Sequence, residues 1–159
     1  LDLTQVDPDL RGFAGGFASG DYAYFVPFFD GYKYGRKVVR VNIETFTAED
    51  VQVIDLGPLD QELAGYFGGF TYRNIAGINY GYLVPHRNVR APVDGVNPFY
   101  TVDGYTDEVV NKGRSSMGGD HLETHYHGKL VRFDCENFDA SGVTVLDLTE
   151  YDPDLRGFA

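Results

Sequence analysis

An all-β fold built from β-propeller-type blades of four antiparallel strands, two repeats plus the start of a third, is the class this sequence predicts. Three observations carry that expectation. Glycine occurs 20 times and Tyr and Phe 12 times each, while Trp is absent and Met occurs once, a profile of many short strands joined by tight turns rather than of a helical bundle. The opening LDLTQVDPDLRGFA at 1–14 returns as LDLTEYDPDLRGFA at 146–159, with only Gln5 and Val6 replaced, by Glu150 and Tyr151. A more diverged copy lies between them, where IDLGPLDQELAGYFGGF at 54–70 aligns with LDLTQVDPDLRGFAGGF at 1–17. Self-similarity on this length scale is the mark of a repeat architecture.

The elements follow in order from one unit. After the LDL strand and an Asp-Pro turn come GF-x-GGF, Y-x-YFVP-F, a turn, K-V-V-R-V and V-x-V-[IL]-D-L, so that strands are expected near 12–18, 21–29, 36–44 and 51–56. Each is rich in Val, Ile, Tyr and Phe and bounded by Gly, Asp or Pro. KVVRVNI and VQVIDL alternate poorly between apolar and polar residues, as a sheet buried on both faces requires. In the second unit YLVPH at 82–86 matches YFVPF at 24–28 and KLVRFDCENF at 129–138 matches KVVRVNIETF at 37–46. The units therefore divide as 1–53, 54–145 with an insertion at 86–127, and 146–159. Strand count alone leaves a solenoid or a sandwich open. The double glycines favour blades, because Gly15 and Gly16, and again Gly68 and Gly69, allow crowded inner backbones to approach where no Cβ fits. Phe17 and Phe70 then pack against the neighbouring blade.

These stretches, V-x-V-L-D-L-T, D-L-x-G-F-x-G-G-F and Y-x-Y-x-V-P, resemble head-to-tail repeats in uncharacterised algal and oomycete proteins, over nearly all of 1–85 and 128–159. The Gly-Gly doublets are also distantly similar to Kelch repeats, without the Trp those blades usually carry. The resemblance implies architecture and carries no activity with it. Since propellers typically need at least about four blades, two units imply a segment of a longer array or copies that complete a ring together; the start at Leu1 rather than Met and the shared LDLT strand at both ends point the same way.

Composition narrows the partners. A net charge of −11 without a basic run disfavours nucleic acid and anionic membrane surfaces, and the longest apolar stretches fall far short of the roughly 20 residues of a spanning helix. The single cysteine, Cys135, excludes an intrachain disulfide and a multi-thiolate zinc site; aligned with Ile43, it reads as a small buried hydrophobe. Nothing here selects a compartment, although an extracellular, cell-surface or organelle-lumen setting fits as well as the cytosol.

Chemistry concentrates in GGDHLETHYHGK at 118–129. If 124–128 extends the following strand, His125 and His127 share one face, and His121 reaches over from the preceding loop to complete a site for a divalent metal such as zinc. Solvated loop histidines are the simpler account. The Asp7-Pro8-Asp9 and Asp152-Pro153-Asp154 turns read as turns rather than as calcium loops, with Arg11 or Arg156 pairing locally with their carboxylates. Tyr32 and Tyr34, placed on an exposed turn, are candidates for glycan recognition. No nucleophile elbow and no phosphate-cradling Gly-Lys-Ser/Thr loop is present. The expected role is thus a non-catalytic binding or scaffold repeat protein whose partner is another protein or further copies of itself. A histidine-metal enzyme and a lectin-like module are the competing readings.

Overall fold

The computed structural model describes residues 1–89 and 124–159. It is all-β, with two four-stranded antiparallel sheets and a short two-stranded ribbon. The first sheet is an up-and-down meander of β1 (Phe13–Ser19), β2 (Tyr22–Pro27), β3 (Lys37–Asn42) and β4 (Gln52–Asp55). The second repeats that order with β5 (Tyr66–Arg73), β6 (Asn79–Pro85), β9 (Lys129–Asp134) and β10 (Thr144–Asp147). Registers match as well: Tyr24 faces Arg40 across β2 and β3, and Tyr82 faces Arg132 across β6 and β9.

Between β6 and β9 the chain leaves the sheet as the ribbon β7 (Arg87–Val89) and β8 (Thr124–Tyr126), paired Arg87 to Tyr126 and Asn88 to His125. The expectation that 124–128 extends the following strand is corrected here. Residues 124–126 pair with β7, and Gly128 separates them from β9. In the first sheet the corresponding connection closes with a single bridge, Phe29 to Tyr34, so the insertion grows out of a turn that the shorter unit already makes.

Local chemistry explains the joints. In each D-L-T run the Asp carboxylate accepts from the backbone N–H two residues on, Asp2 from Thr4 and Asp147 from Thr149, both at 3.0 Å, and caps a short 3-10 turn, Leu3–Gln5 and Leu148–Glu150. The double glycines form β-bulges. Register slips between Phe13 and Gly16 and between Tyr66 and Gly69, with Gly15 and Gly68 at φ +80° and +79°, a conformation that side-chain-bearing residues adopt at a cost.

Two cores result. The larger lies between the sheets and gathers Tyr24, Val26, Val38 and Ile54 of the first with Tyr66, Leu83, Val131 and Phe133 of the second, around Leu56 and Leu63 of the crossing segment. The smaller lies on the opposite face of the first sheet, where Leu3 and Leu10 cover Val39 and Val41. Every residue of KVVRV is thereby used, Val38 toward one core and Val39 and Val41 toward the other, with Arg40 also buried. That two-sided burial is why the strand reads as a continuous apolar run. Among the described residues no helix is long and apolar enough to cross a membrane.

Candidate functional site

The most elaborated chemistry sits where the first sheet meets the second. Phe17 of β1 stacks on Tyr24 at 5.0 Å between ring centroids and reaches Phe133 of the second sheet at 6.3 Å. Glycines make room for it. A Cβ on Gly69 would lie 2.8 Å from the Phe17 ring and one on Gly81 3.1 Å from it, while a Cβ on Gly15 would come to 3.1 Å from Gly68 Cα. Beneath the ring, the Tyr24 hydroxyl donates to the Cys135 carbonyl at 3.0 Å and Arg40 Nη1 donates to the same oxygen at 2.5 Å. The Arg40 guanidinium lies between the rings of Tyr22 and Phe138, 4.1 and 4.7 Å from their centroids, and its remaining edge holds Gln52 Oε1 at 2.7 and 3.0 Å. A buried cation is tolerated because its donors are satisfied and its faces lie on aromatic rings.

Electrostatics agree with a packing role for these groups. Burial pushes the Tyr24 phenol up to about 12, against the opposing influence of Arg40, so the hydroxyl stays a hydrogen-bond donor. Burial likewise raises the Cys135 thiol, which is 5% exposed, as suits a small buried packing group.

A second repeated device ties the Asp turns at 7–9 and 60–62 to the first lysine of a third strand. Lys37 Nζ meets Asp7 at 2.6 Å and Asp9 at 3.3 Å, with Lys33 on Asp9 at 2.7 Å. At the equivalent place Lys129 Nζ meets Asp60 at 2.5 Å and Glu62 at 2.7 Å. The first Asp of each turn also accepts from the N–H two residues on, Asp7 from Asp9 and Asp60 from Glu62 at 2.9 Å, so the Asp-capped turn expected from DPD forms at 7–9 and also in the proline-free DQE at 60–62. The expected partner differs, since Arg11 pairs with Asp30 at 3.2 Å and leaves the turn to the lysines. A cleft of about 350 Å³ opens beside this clamp, lined in part by Asp9, Lys33, Tyr34, Arg36, Lys37 and Asp55. Lys33 and Lys37 are paired there with Asp9 and Asp7, so these two cations belong to the clamp.

The sequence-predicted site residues fall in different places. His121 lies outside the described residues; His125 is on β8, paired with Asn88. The His127 ring is 5% exposed and packs edge-on against Tyr66 at 5.3 Å. Among the described residues no three His, Cys, Asp or Glu side chains converge as a metal would require. Tyr32 is exposed as expected, but Tyr34 is 8% exposed and is enclosed by Phe28 and Phe29, which corrects its placement on an open turn. Phe17 packs across to the neighbouring sheet, whereas Phe70 stacks on Tyr82 at 5.0 Å and is half exposed. Sequence reasoning did not single out Arg40 or Lys37; the shared K-V-V-R and K-L-V-R of the two units was the available signal.

Comparison with protein families, with curated proteins and with solved structures found no match to this chain.

Proposed function

We propose that the two sheets are consecutive blades of a propeller-type array, and that the protein is a non-catalytic binding or scaffold element of a larger assembly. The observation that carries this reading is the junction of Phe17 with Gly69 and Gly81. It joins equivalent edge strands, β1 against β5, while the chain runs from the opposite edge strand β4 through 56–65 to the first strand of the next sheet. Such a junction can be repeated without limit, which a face-to-face sandwich cannot do. Arg40, Tyr24 and the Cys135 carbonyl at the junction are spent on packing and on mutual hydrogen bonds, as suits a rigid platform whose recognition is left to loops.

Zinc titration together with a glycan-array screen tests the role. Under the scaffold reading neither ligand is retained. Stoichiometric zinc uptake abolished by His125→Ala combined with His127→Ala would replace it with the metal-enzyme reading, and glycan binding lost in Tyr32→Ala would replace it with the lectin reading.

A further inference from the structure

The two sheets share one design, so every contact made at their junction has a counterpart on a face that the same design leaves bare. On the outward face of the second sheet, Phe70 stacks on Tyr82 as Phe17 stacks on Tyr24. Arg132 lies 4.5 Å from the Tyr80 centroid as Arg40 lies over Tyr22. A Cβ on Gly68 would meet nothing within 4 Å, where one on Gly15 meets Gly68 itself. Exposure follows the same division: Phe70 is 50% and Leu146 42% exposed, although Ile54, the counterpart of Leu146, is buried.

The opposite end of the molecule carries the complement. Cys135 and Phe138 of the second sheet receive Arg40 and Tyr24. Their counterparts on the first sheet, Ile43 and Phe46, are 45% and 54% exposed, and Gly16, the counterpart of the Phe17-covered Gly69, is open to solvent. One end thus has an aromatic and a cation without a receptor, and the other has the receptor. The internal junction supplies the template by which they fit.

We infer that this chain binds a second copy of itself head to tail, the Phe70 face of one copy seated on the Gly16, Ile43 and Phe46 face of the next. The contact is heterologous, so it propagates rather than closing at two. It also dictates an exchange. At the internal junction a single segment, 56–63, lies between the sheets, with Leu63 fully buried and the Asp60 turn clamped by Lys129. Between two copies that position is claimed twice, by residues 146–159 of one and residues 1–14 of the other, identical at twelve of fourteen positions. The incoming segment replaces the resident one: Leu155, 37% exposed in the single chain, takes the buried position of Leu10, and Asp152 and Asp154 take Lys37 in place of Asp7 and Asp9. Because the two segments carry the same Leu and Asp residues, the exchange conserves those contacts and the bare faces supply its driving force.

This inference rests on the junction being a repeating contact. Light scattering across a concentration series on the full chain tests it. The wild-type mass is expected to rise to at least twice 17.7 kDa, while Phe70→Glu, Leu155→Asp and Ile43→Glu each stay at the single-chain mass with circular dichroism unchanged. Phe46→Asp stands in should Ile43→Glu not fold. An equimolar mixture of Phe70→Glu and Ile43→Glu is expected to recover a two-copy species, since one good face of each kind remains; an isologous dimer would not be rescued. A wild-type chain of single mass at every concentration, or a Phe70→Glu variant that assembles like wild type, overturns the inference. If the wild type is monomeric and yet Phe17→Ala lowers its melting temperature, the junction between the sheets stands and only self-association falls; if Phe17→Ala changes nothing, the blade reading falls with it.

Discussion

Phe17 and Phe70 occupy the same position of the same motif, stack on equivalent tyrosines, Tyr24 and Tyr82, at the same 5.0 Å, and have different fates. Phe17 packs, partly buried, against the glycines and Phe133 of the next sheet, whereas Phe70 is half exposed. Local sequence sets the ring and its stacking partner. What the ring contributes to stability is set by whether a receptor sheet follows, because apolar area stabilises only when it is withdrawn from water.

The largest separation between the two positions should come from truncation. Phe17→Ala removes a ring from a packed junction and is expected to cost about 3 kcal/mol, while Phe70→Ala in the monomeric chain is expected to cost under about 1 kcal/mol. Paired denaturant titrations measure both, and equal losses would show that the two faces are not differently packed. The arginines come next. Arg40→Leu leaves the Cys135 carbonyl with the Tyr24 hydroxyl alone and removes a cation packed between two rings, for an expected loss of about 2 kcal/mol; Arg132→Leu, on the bare face, should fall within about 0.5 kcal/mol. The bulge glycines differ less. Alanine at Gly15 or Gly68 meets the same left-handed backbone strain, roughly 1 kcal/mol, and Gly15→Ala should cost measurably more because only there does a Cβ press on a neighbouring Cα.

The smallest effect is a pH dependence of the Lys–Asp clamps. The hydrogen bond from Lys37 holds the Asp7 carboxyl below its ordinary 3.8, as that from Lys33 does for Asp9. At Asp60, burial acts upward but the hydrogen bond from Lys129 and its neighbours outweigh it. Carboxyls lowered by folding stabilise the native state fully above their unfolded value and lose that contribution as pH falls through the folded one. Melting temperature is therefore expected to hold steady down to about pH 5 and to fall below about pH 4. Lys37→Met should flatten part of that fall, at a cost of no more than about 1 kcal/mol at neutral pH. An acid limb identical in Lys37→Met and wild type would show that the clamp is not what titrates.

Much of this architecture was legible in the chain before any coordinate was placed. Strands expected near 12–18, 21–29, 36–44 and 51–56 occur at 13–19, 22–27, 37–42 and 52–55, because Gly, Pro and Asp set turn geometry through local backbone preferences. The two-sided burial of KVVRV was legible for the same reason, an apolar run too continuous for a half-solvated strand. Tyr34 was not: its neighbours in sequence are turn residues, and only the return of Phe28 and Phe29 over it buries the ring. Nor was the pairing of 124–126 with 87–89, since two short runs separated by a long insertion carry no register of their own.

By itself, then, the sequence determined the repeat, the strands, the Asp-capped turns and the all-β class, since these rest on interactions a few residues apart that each copy of the motif carries with it. Tertiary structure alone decided which copy's aromatic packs against a neighbouring sheet, which carbonyl receives Arg40, and which lysine closes which turn. Those depend on a partner sheet arriving from far along the chain, and identical motifs differ only in whether that partner is there.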